Sequence, residues 1–407
     1  MSTKTLLVHP GTQYSHQLAR QLARHNLLYE FWTGFAMASE AWSTQALQTW
    51  LPAQLNRKIA NRITHGIPPK LIRTIPTIEW KSLRQLKQGL SSQAVFHEKN
   101  KAFQKRVPQE SLQSAGSVIG FDTSSWILAA RAEKISKPFL LDQSIAHPIV
   151  KETVLRGVSA RHPEWREELE ERLPMVLKSE NLEHKLASKI VVASTYTKQT
   201  LISQGVASSK IIINPYGVDL QKFNSTTVRR VDGCQLRFLF LGAVSARKGV
   251  PLLIEAWKEL ALKDSELWLV GPVSERERKL IPDLPGLHIK GKYPFEELPD
   301  LMRQCDVLVF PSYCEGFALV LLEALASGMP IISTEATAAP DLIEDGTEGL
   351  LIQSGDLDAL CRAMKYYADN PDKLKSMGAA ARHCAERFSW DNYGDRWQQI
   401  LKEFGEC

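Results

Sequence analysis

Residues 306–323 read DVLVFPSYCEGFALVLLE, and this stretch decides the fold. Val307–Phe310 is a short apolar run of the kind that forms a strand buried on both faces. The Pro311–Gly316 loop leads into a helical stretch that stops near Gly328, with Pro330 shortly behind it. Glu315 stands at the helix entrance, where the dipole and the free amides of residues 317–320 favour an anion. Glu323 lies six residues beyond Phe317, roughly 9 Å along a helix at 1.5 Å per residue. Two carboxylates so placed suit a ligand with hydroxyls at both ends and phosphates between them, as in a sugar and a ribose. Glu323 is flanked by Leu321, Leu322, Ala324 and Leu325, so it needs a hydrogen-bond donor. An arginine or backbone amides would serve that need as well as a ligand.

The same alternation of short apolar runs and amphipathic stretches extends along the chain and predicts parallel sheets with crossover helices. In the first half Thr5–His9, Ser117–Phe121, Pro138–Leu141, Lys189–Ala193 and Lys210–Ile213 read as strands, and Ser15–His25 and Pro163–Leu177 as helices. Ala41 to Val107 shows no convincing strand and reads as helical excursions. In the second half the predicted strands are Arg237–Leu241, Leu267–Val270, His288–Ile289, Val307–Phe310, Pro330–Ser333 and Leu350–Ile352. Asn214-Pro-Tyr-Gly-Val-Asp219 breaks the two series apart. With 407 residues, two cores are expected, and two such sheets in tandem place a cleft between their strand ends.

Three further stretches face that cleft. Gly242-Ala-Val-Ser-Ala-Arg-Lys-Gly249 is a turn after a strand, with Arg247 and Lys248 suited to a diphosphate. A solvated surface Arg-Lys pair is the alternative. Val8-His-Pro-Gly-Thr12 is a strand–turn junction with Gly11 and Thr12 at the turn; it lacks the G-x-G-x-x-G of dinucleotide oxidoreductases. Phe139–Pro148 ends a strand in polar residues, so that Asp142, Ser144 or His147 meets the reacting sugar or the acceptor, unless His147 is structural.

Bulk composition narrows the classes. Hydrophobic content of 44% and charged content of 23% belong to a folded chain. No apolar run spans a bilayer and the N-terminus lacks a secretory pattern. Six cysteines without C-x-x-C or metal-like spacing suit a cytoplasmic protein and argue for no metal site. Net charge is +5, but residues 51–110 hold twelve Lys or Arg against three Asp or Glu. That block is either a solvated face or an attractor for an anionic acceptor or membrane surface. No recognition module accompanies it, so nucleic acid is not expected.

In this order, the motifs resemble the family 4 retaining glycosyltransferases of GT-B architecture. They are Asn214–Asp219, the turn Gly242–Gly249, Leu269-Val-Gly271, the E-x7-E pair Glu315 and Glu323, and Gly346 to Leu351. Ala187–Ser194 is similar to that family's last N-terminal strand, and Phe388–Tyr393 to the entry of its terminal helix. The resemblance covers residues 183–400 and is faint before them.

It implies an α/β fold of GT-B type: two Rossmann-like domains, a cleft between them, and a C-terminal helix crossing back to the N-terminal domain. The expected divisions are 1–213 (acceptor), 214–387 (donor) and 388–407 (crossover helix). The implied activity is a retaining, metal-independent hexosyltransferase of polysaccharide biosynthesis that uses a nucleotide-diphosphate sugar and no separate cofactor. Glu315 would contact the transferred sugar, Glu323 the ribose, and Lys248 with Arg247 the departing diphosphate. Backbone groups of Gly316, Phe317, Ala318 and Leu319, with Gly242, Gly11 and Thr12, would complete the donor site, and His147 would take the donor-sugar histidine's place.

Ala243 stands where many members have arginine, and Ala318 where glycine is usual. A hydroxyl acceptor, anionic or lipid-linked, is expected, with peripheral association at the inner membrane face through residues 51–110. The alternatives are a sugar-nucleotide epimerase or phosphorylase of the same architecture, or an inactive GT-B scaffold or regulatory partner.

Overall fold

The computed structural model describes residues 4–11, 14–50, 59, 62–165, 172–224 and 234–405. Its first half is a seven-stranded parallel sheet in the order β5-β2-β1-β6-β7-β8-β9. The strands are β1 (Thr5–His9), β2 (Leu28–Thr33), β5 (Ile72–Thr74), β6 (Ser117–Phe121), β7 (Phe139–Gln143), β8 (Lys189–Val192) and β9 (Ile211–Ile213); β3 (Met37–Ala38) and β4 (Ile63–Thr64) pair separately. The second half is a six-stranded parallel sheet in the order β12-β11-β10-β13-β14-β15. These are β10 (Leu236–Leu241), β11 (Ser265–Val270), β12 (Leu287–Gly291), β13 (Val307–Phe310), β14 (Ile331–Thr334) and β15 (Gly349–Ile352).

Continuous burial explains why these runs are strands. Every residue of β1, β6, β7, β13 and β14 is buried, as expected where helices cover both faces of a parallel sheet. In each half the strand order reverses beside the first strand, β1 next to β6 and β10 next to β13, which opens a crevice at their C-terminal ends. The two crevices face one another.

Three local expectations need correction. Leu28–Thr33 is a strand that the sequence pattern did not suggest, and Ile72–Thr74 adds an edge strand inside a segment expected to be helical. Three residues are too few to show a period. The helix expected over Pro163–Leu177 is a 3-10 turn at Pro163–Trp165 and a separate helix at Pro174–Leu186, with Pro174 at its first turn. Residues 166–171 lie outside the described residues.

The terminal helix Trp390–Gly405 returns to the first half and packs on the Ser15–Arg24 helix. Gln21 Nε2 donates to Asp391 Oδ1 at 3.2 Å and Arg24 pairs with Asp395. Trp397 is fully buried in the shared core. The crossing segment is fastened to the same helix: Arg396 Nε donates to Asn214 Oδ1 at 2.6 Å, and Arg396 Nη2 to the Pro215 carbonyl at 2.6 Å. Asn214–Asp219 therefore works as a clasp between the chain's two passages across the cleft.

Candidate functional site

The loop that leaves β13 carries Glu315 to the front of the Leu319–Ala326 helix. Glu315 Oε1 accepts from Arg247 Nη1 at 2.7 Å and Ser312 Oγ at 3.4 Å, and lies 3.1 Å from Lys248 Nζ. The two loops are zipped together, because the Arg247 carbonyl accepts from Tyr313 N at 2.9 Å and Ser312 Oγ at 3.2 Å. Gly249 permits this approach: its φ is +76°, and a Cβ there would stand 2.0 Å from the Pro311 carbonyl oxygen. Lys248 reaches over Phe310, with its ammonium 4.7 Å from the ring centre. Burial pushes the Lys248 pKa down, Glu315 opposes that shift, and the Arg247 charge adds to it. Two cations thus share one carboxylate, leaving a positive excess in a secluded place.

The helix entrance is strained. Ala318 has φ +69°, a left-handed conformation that L-residues with a Cβ rarely adopt. Gly316 before it is pressed against the first half, where a Cβ would meet the Ser144 carbonyl oxygen at 1.9 Å. Its own carbonyl accepts from Ser194 Oγ at 2.6 Å and Thr197 Oγ1 at 3.0 Å.

Glu323 sits one helical turn past Leu319 and is half-buried. Among the described residues its carboxylate has no hydrogen-bond partner, so neither an arginine nor backbone amides meet the need that its setting creates. Burial raises its pKa to about 7, against a smaller opposing pull from Lys222.

Between the halves lies a cavity of about 910 Å3. Gly242, Lys248, Glu315, Gly316, Phe317, Ala318 and Leu319 line it from one side, and Tyr14, Asp122 and Ser144 from the other. The expected donor residues Gly242, Lys248 and Glu315–Leu319 are therefore brought together; Glu323 is not in the lining and lies one turn along the helix that starts at the lining residue Leu319. Arg247 reaches the site through Glu315. Gly11 opens on a neighbouring cavity of the first half, and Thr12 lies outside the described residues. His147 is not in the cleft lining: its side chain accepts from Ile149 N at 3.3 Å and caps the Pro148–Arg161 helix.

Residues 235–370 match the family described as glycosyl transferases group 1. This match covers the second sheet and the loops that carry Lys248, Glu315 and Glu323. The MMP alpha-(1->4)-mannosyltransferase of Mycolicibacterium hassiacum is 30% identical over 266 residues, 62% of this chain and 63% of that protein. The chain thus matches less than two thirds of that relative's length. WcaL of Salmonella typhimurium, a putative colanic acid biosynthesis glycosyltransferase, is 26% identical over 65% of this chain and 70% of its own. The crystal structure of Anabaena HepE in complex with UDP and glucose superposes with a TM-score of 0.64, at 15% identity, covering 98% of this chain and 99% of that one. The fold is GT-B, two facing parallel sheets, and the family match falls on the second.

Opposite the second sheet, the first half presents groups that sequence reasoning missed. Tyr14 packs on Tyr216 with ring centres 4.0 Å apart and planes tilted by 35°, and Tyr216 meets Phe317 edge-on at 5.2 Å. Burial, with Glu315 and Glu323 adding, pushes the Tyr14 phenol up to about 12. Asp122 is buried and accepts from Ser144 N at 3.0 Å, and burial raises its pKa. Asp142, named among the polar candidates, is buried as well; burial and the Asp122 charge raise its pKa well above its ordinary value. The available signal was position, since Asp122 directly follows a strand at the crevice edge. No helix among the described residues is long and apolar enough to cross a membrane.

Proposed function

We propose that the chain is a retaining, metal-independent glycosyltransferase that moves a hexosyl group from a nucleotide-diphosphate sugar to a hydroxyl acceptor. The observation that carries this reading is the cation pair at one cavity wall: Lys248 and Glu315 line it, Arg247 pairs with the same Glu315, and Glu323 stands without a hydrogen-bond partner among the described residues one turn past the lining residue Leu319. A diphosphate entering the cavity draws Lys248 and Arg247 from Glu315 and frees that carboxylate for sugar hydroxyls. Glu323 accepts from the ribose hydroxyls, and the amides at the helix entrance meet phosphate oxygens. The anomeric carbon–oxygen bond to the diphosphate breaks, the acceptor oxygen bonds that carbon, and the diphosphate takes the acceptor's proton. Stabilising the leaving group is the main electrostatic task.

Asp122 favours a second reading, because it is a buried carboxylate in the cavity wall with a raised pKa and so could serve as a base. An enzyme using it that way would invert configuration. His147 has a positioning part in either case, through the helix it caps.

On this reading the acceptor is anionic or membrane-presented, and the protein works in the cytoplasm at the inner membrane face. Support comes from the Pro76–Lys87 helix, where Trp80 and Leu83 are exposed beside Lys81, Arg84 and Lys87. Residues 51–58, 60 and 61 of the basic block lie outside the described residues. The relative solved with UDP and glucose makes UDP-sugars the first donors to try.

The test is thermal stability against UDP-, GDP- and ADP-sugars for wild type and Glu323→Ala, followed by NMR of slow donor hydrolysis. A donor at 100 times its Kd stabilises by about 2.7 kcal/mol. One donor should shift the wild type only, and the first sugar released should keep the donor's anomeric configuration. Release of the opposite anomer selects the Asp122 reading, and no shift with any donor overturns both.

A further inference from the structure

A second cavity, of about 390 Å3, opens in the first half beside the cleft. It is walled by the end of β1, the loop after β6 and the Ser92–Arg106 helix. Thr123 lines both cavities, so the two adjoin.

The charge balance of this cavity is one-sided. Lys99 and Arg172 line it, and no Asp or Glu does among the described residues. Arg172 is committed to Glu180. Lys99 has no ion pair among the described residues, and its ammonium lies 5.1 Å from the Phe96 ring centre. Burial lowers the Lys99 pKa despite the opposing charge of Glu79. A half-buried ammonium in that state gains from an incoming anion.

Next to it stands a buried acceptor without a partner among the described residues. Asn100 is 7% exposed, its Nδ2 donates to the Thr123 carbonyl at 2.9 Å, and its Oδ1 has no partner. A buried acceptor left alone is costly and suits a ligand hydroxyl. His9 is buried, and burial above all pushes its pKa down to about 3, so it remains a neutral imidazole with Nδ1 3.3 Å from Ser124 Oγ.

The wall between the cavities is held under strain. Thr123 is β-branched and has φ +64°. Glu183 fixes it, with Oε2 accepting from Thr123 N at 2.9 Å and Oε1 from Ser125 N at 2.7 Å. Backbone strain kept in place by a buried carboxylate marks a position whose geometry matters.

We propose that this cavity is an acceptor subsite for a phosphate-bearing hexose or polyol. Lys99 meets the phosphate, Asn100 Oδ1 accepts from a hydroxyl, and the reacting hydroxyl passes Thr123 into the cleft. The proposal rests on the glycosyltransferase reading, because it needs a donor in the adjoining cavity. The phosphate belongs either to a soluble sugar phosphate or to a lipid-linked one; the chemistry at Lys99 is the same.

The test follows glucose 6-phosphate by phosphorus NMR line broadening with wild type, Lys99→Gln and Lys99→Arg. Each is measured with and without saturating nucleoside diphosphate (UDP or GDP, whichever stabilises the chain), with neutral glucose by proton NMR as control. Sedimentation with phosphatidylglycerol–phosphatidylcholine vesicles supplies the lipid arm. Sugar phosphate should bind whether or not the nucleotide is present, and glucose should not. Lys99→Gln should weaken binding about tenfold or more, as loss of a charge-assisted hydrogen bond does, and Lys99→Arg should retain it. Vesicle binding that requires Lys99, without soluble binding, identifies a lipid-linked phosphate and supports the subsite. Phosphate binding abolished by nucleotide, binding indifferent to Lys99, or no binding by either probe overturns it. Absence of any nucleotide binding by the wild type would instead overturn the glycosyltransferase reading.

Discussion

The hydroxyl of Ser194 donates to the carbonyl of Gly316 at 2.6 Å, across 122 residues of sequence and across the cleft. Ser194 caps the Thr195–Ser203 helix of the first half, and Gly316 belongs to the loop that presents Glu315. The adjacent Thr195 ties the same helix to Asp341 of the second half, N to Oδ2 at 2.7 Å. The loop expected to grip the donor is therefore held in shape from the opposite half. Closure of the cleft and order in the donor loop become one event.

Ser194→Ala removes this bond together with the cap on Thr197 N. The substitution should cost about 1–2 kcal/mol of stability from the cap alone. Donor affinity should fall about threefold to tenfold, since the loop must be ordered by the ligand instead. Denaturant titration and donor titration separate the two effects, and unchanged donor affinity would mean that the Gly316 loop holds its shape unaided.

Ala318 is a place where the sequence itself suggests a remedy. Its left-handed φ of +69° is at home for glycine, the usual residue of the resembling family at that point. Ala318→Gly should raise stability by about 1 kcal/mol, the approximate penalty of a Cβ in that region. A higher denaturant midpoint with unchanged slope checks it, whereas a lower midpoint would show that the Cβ contributes packing that outweighs the strain.

Much of the second half was legible because each signal is local. Val307–Phe310, the helix stop at Gly328 and the Arg247–Lys248 pair are read from contiguous residues. The first half hid more. Leu28–Thr33 places Glu30 in a strand, which looks wrong until its partners are known: Arg73 Nε at 3.1 Å on β5, Trp32 Nε1 at 2.8 Å and Ser111 Oγ at 2.8 Å. Tyr14 and Asp122 reach the cleft from a domain whose relation to the other is a matter of long-range packing. The sequence carries no period or spacing that registers such a meeting.

The Glu323 carboxylate makes stability and donor binding depend on pH in opposite senses. Its folded pKa, raised to about 7, lies above the ordinary value of 4.5, so burial disfavours the charged form. The group's contribution to stability is fully present below pH 4.5 and is lost as pH rises through 7. Glu323→Gln should therefore leave the free protein little changed at pH 5 and stabilise it by up to about 3 kcal/mol at pH 8. Donor affinity of the wild type should strengthen as pH rises through 7, because the ionised carboxylate accepts ribose hydroxyls better, and Glu323→Gln should flatten that rise. A flat profile in the wild type would remove Glu323 from the donor site.

Trp80 and Leu83 test whether the first half meets a membrane. Trp80 is 77% and Leu83 53% exposed on one helix whose solvent face also carries Lys81, Arg84 and Lys87. A solvent-facing helix surface with a tryptophan, a leucine and three cations fits an interfacial helix better than a hydrated one. Each cation near an anionic surface contributes about 1 kcal/mol, and the contribution fades within a Debye length of about 8 Å at physiological salt. Trp80→Ser with Leu83→Ser should lower binding to phosphatidylglycerol vesicles by about tenfold or more, from the apolar area that no longer enters the interface. Lys81→Gln with Lys87→Gln should weaken binding mainly at low salt. Vesicle binding that ignores both pairs of changes would assign this helix face to ordinary solvent, and the membrane-facing orientation would fall with it.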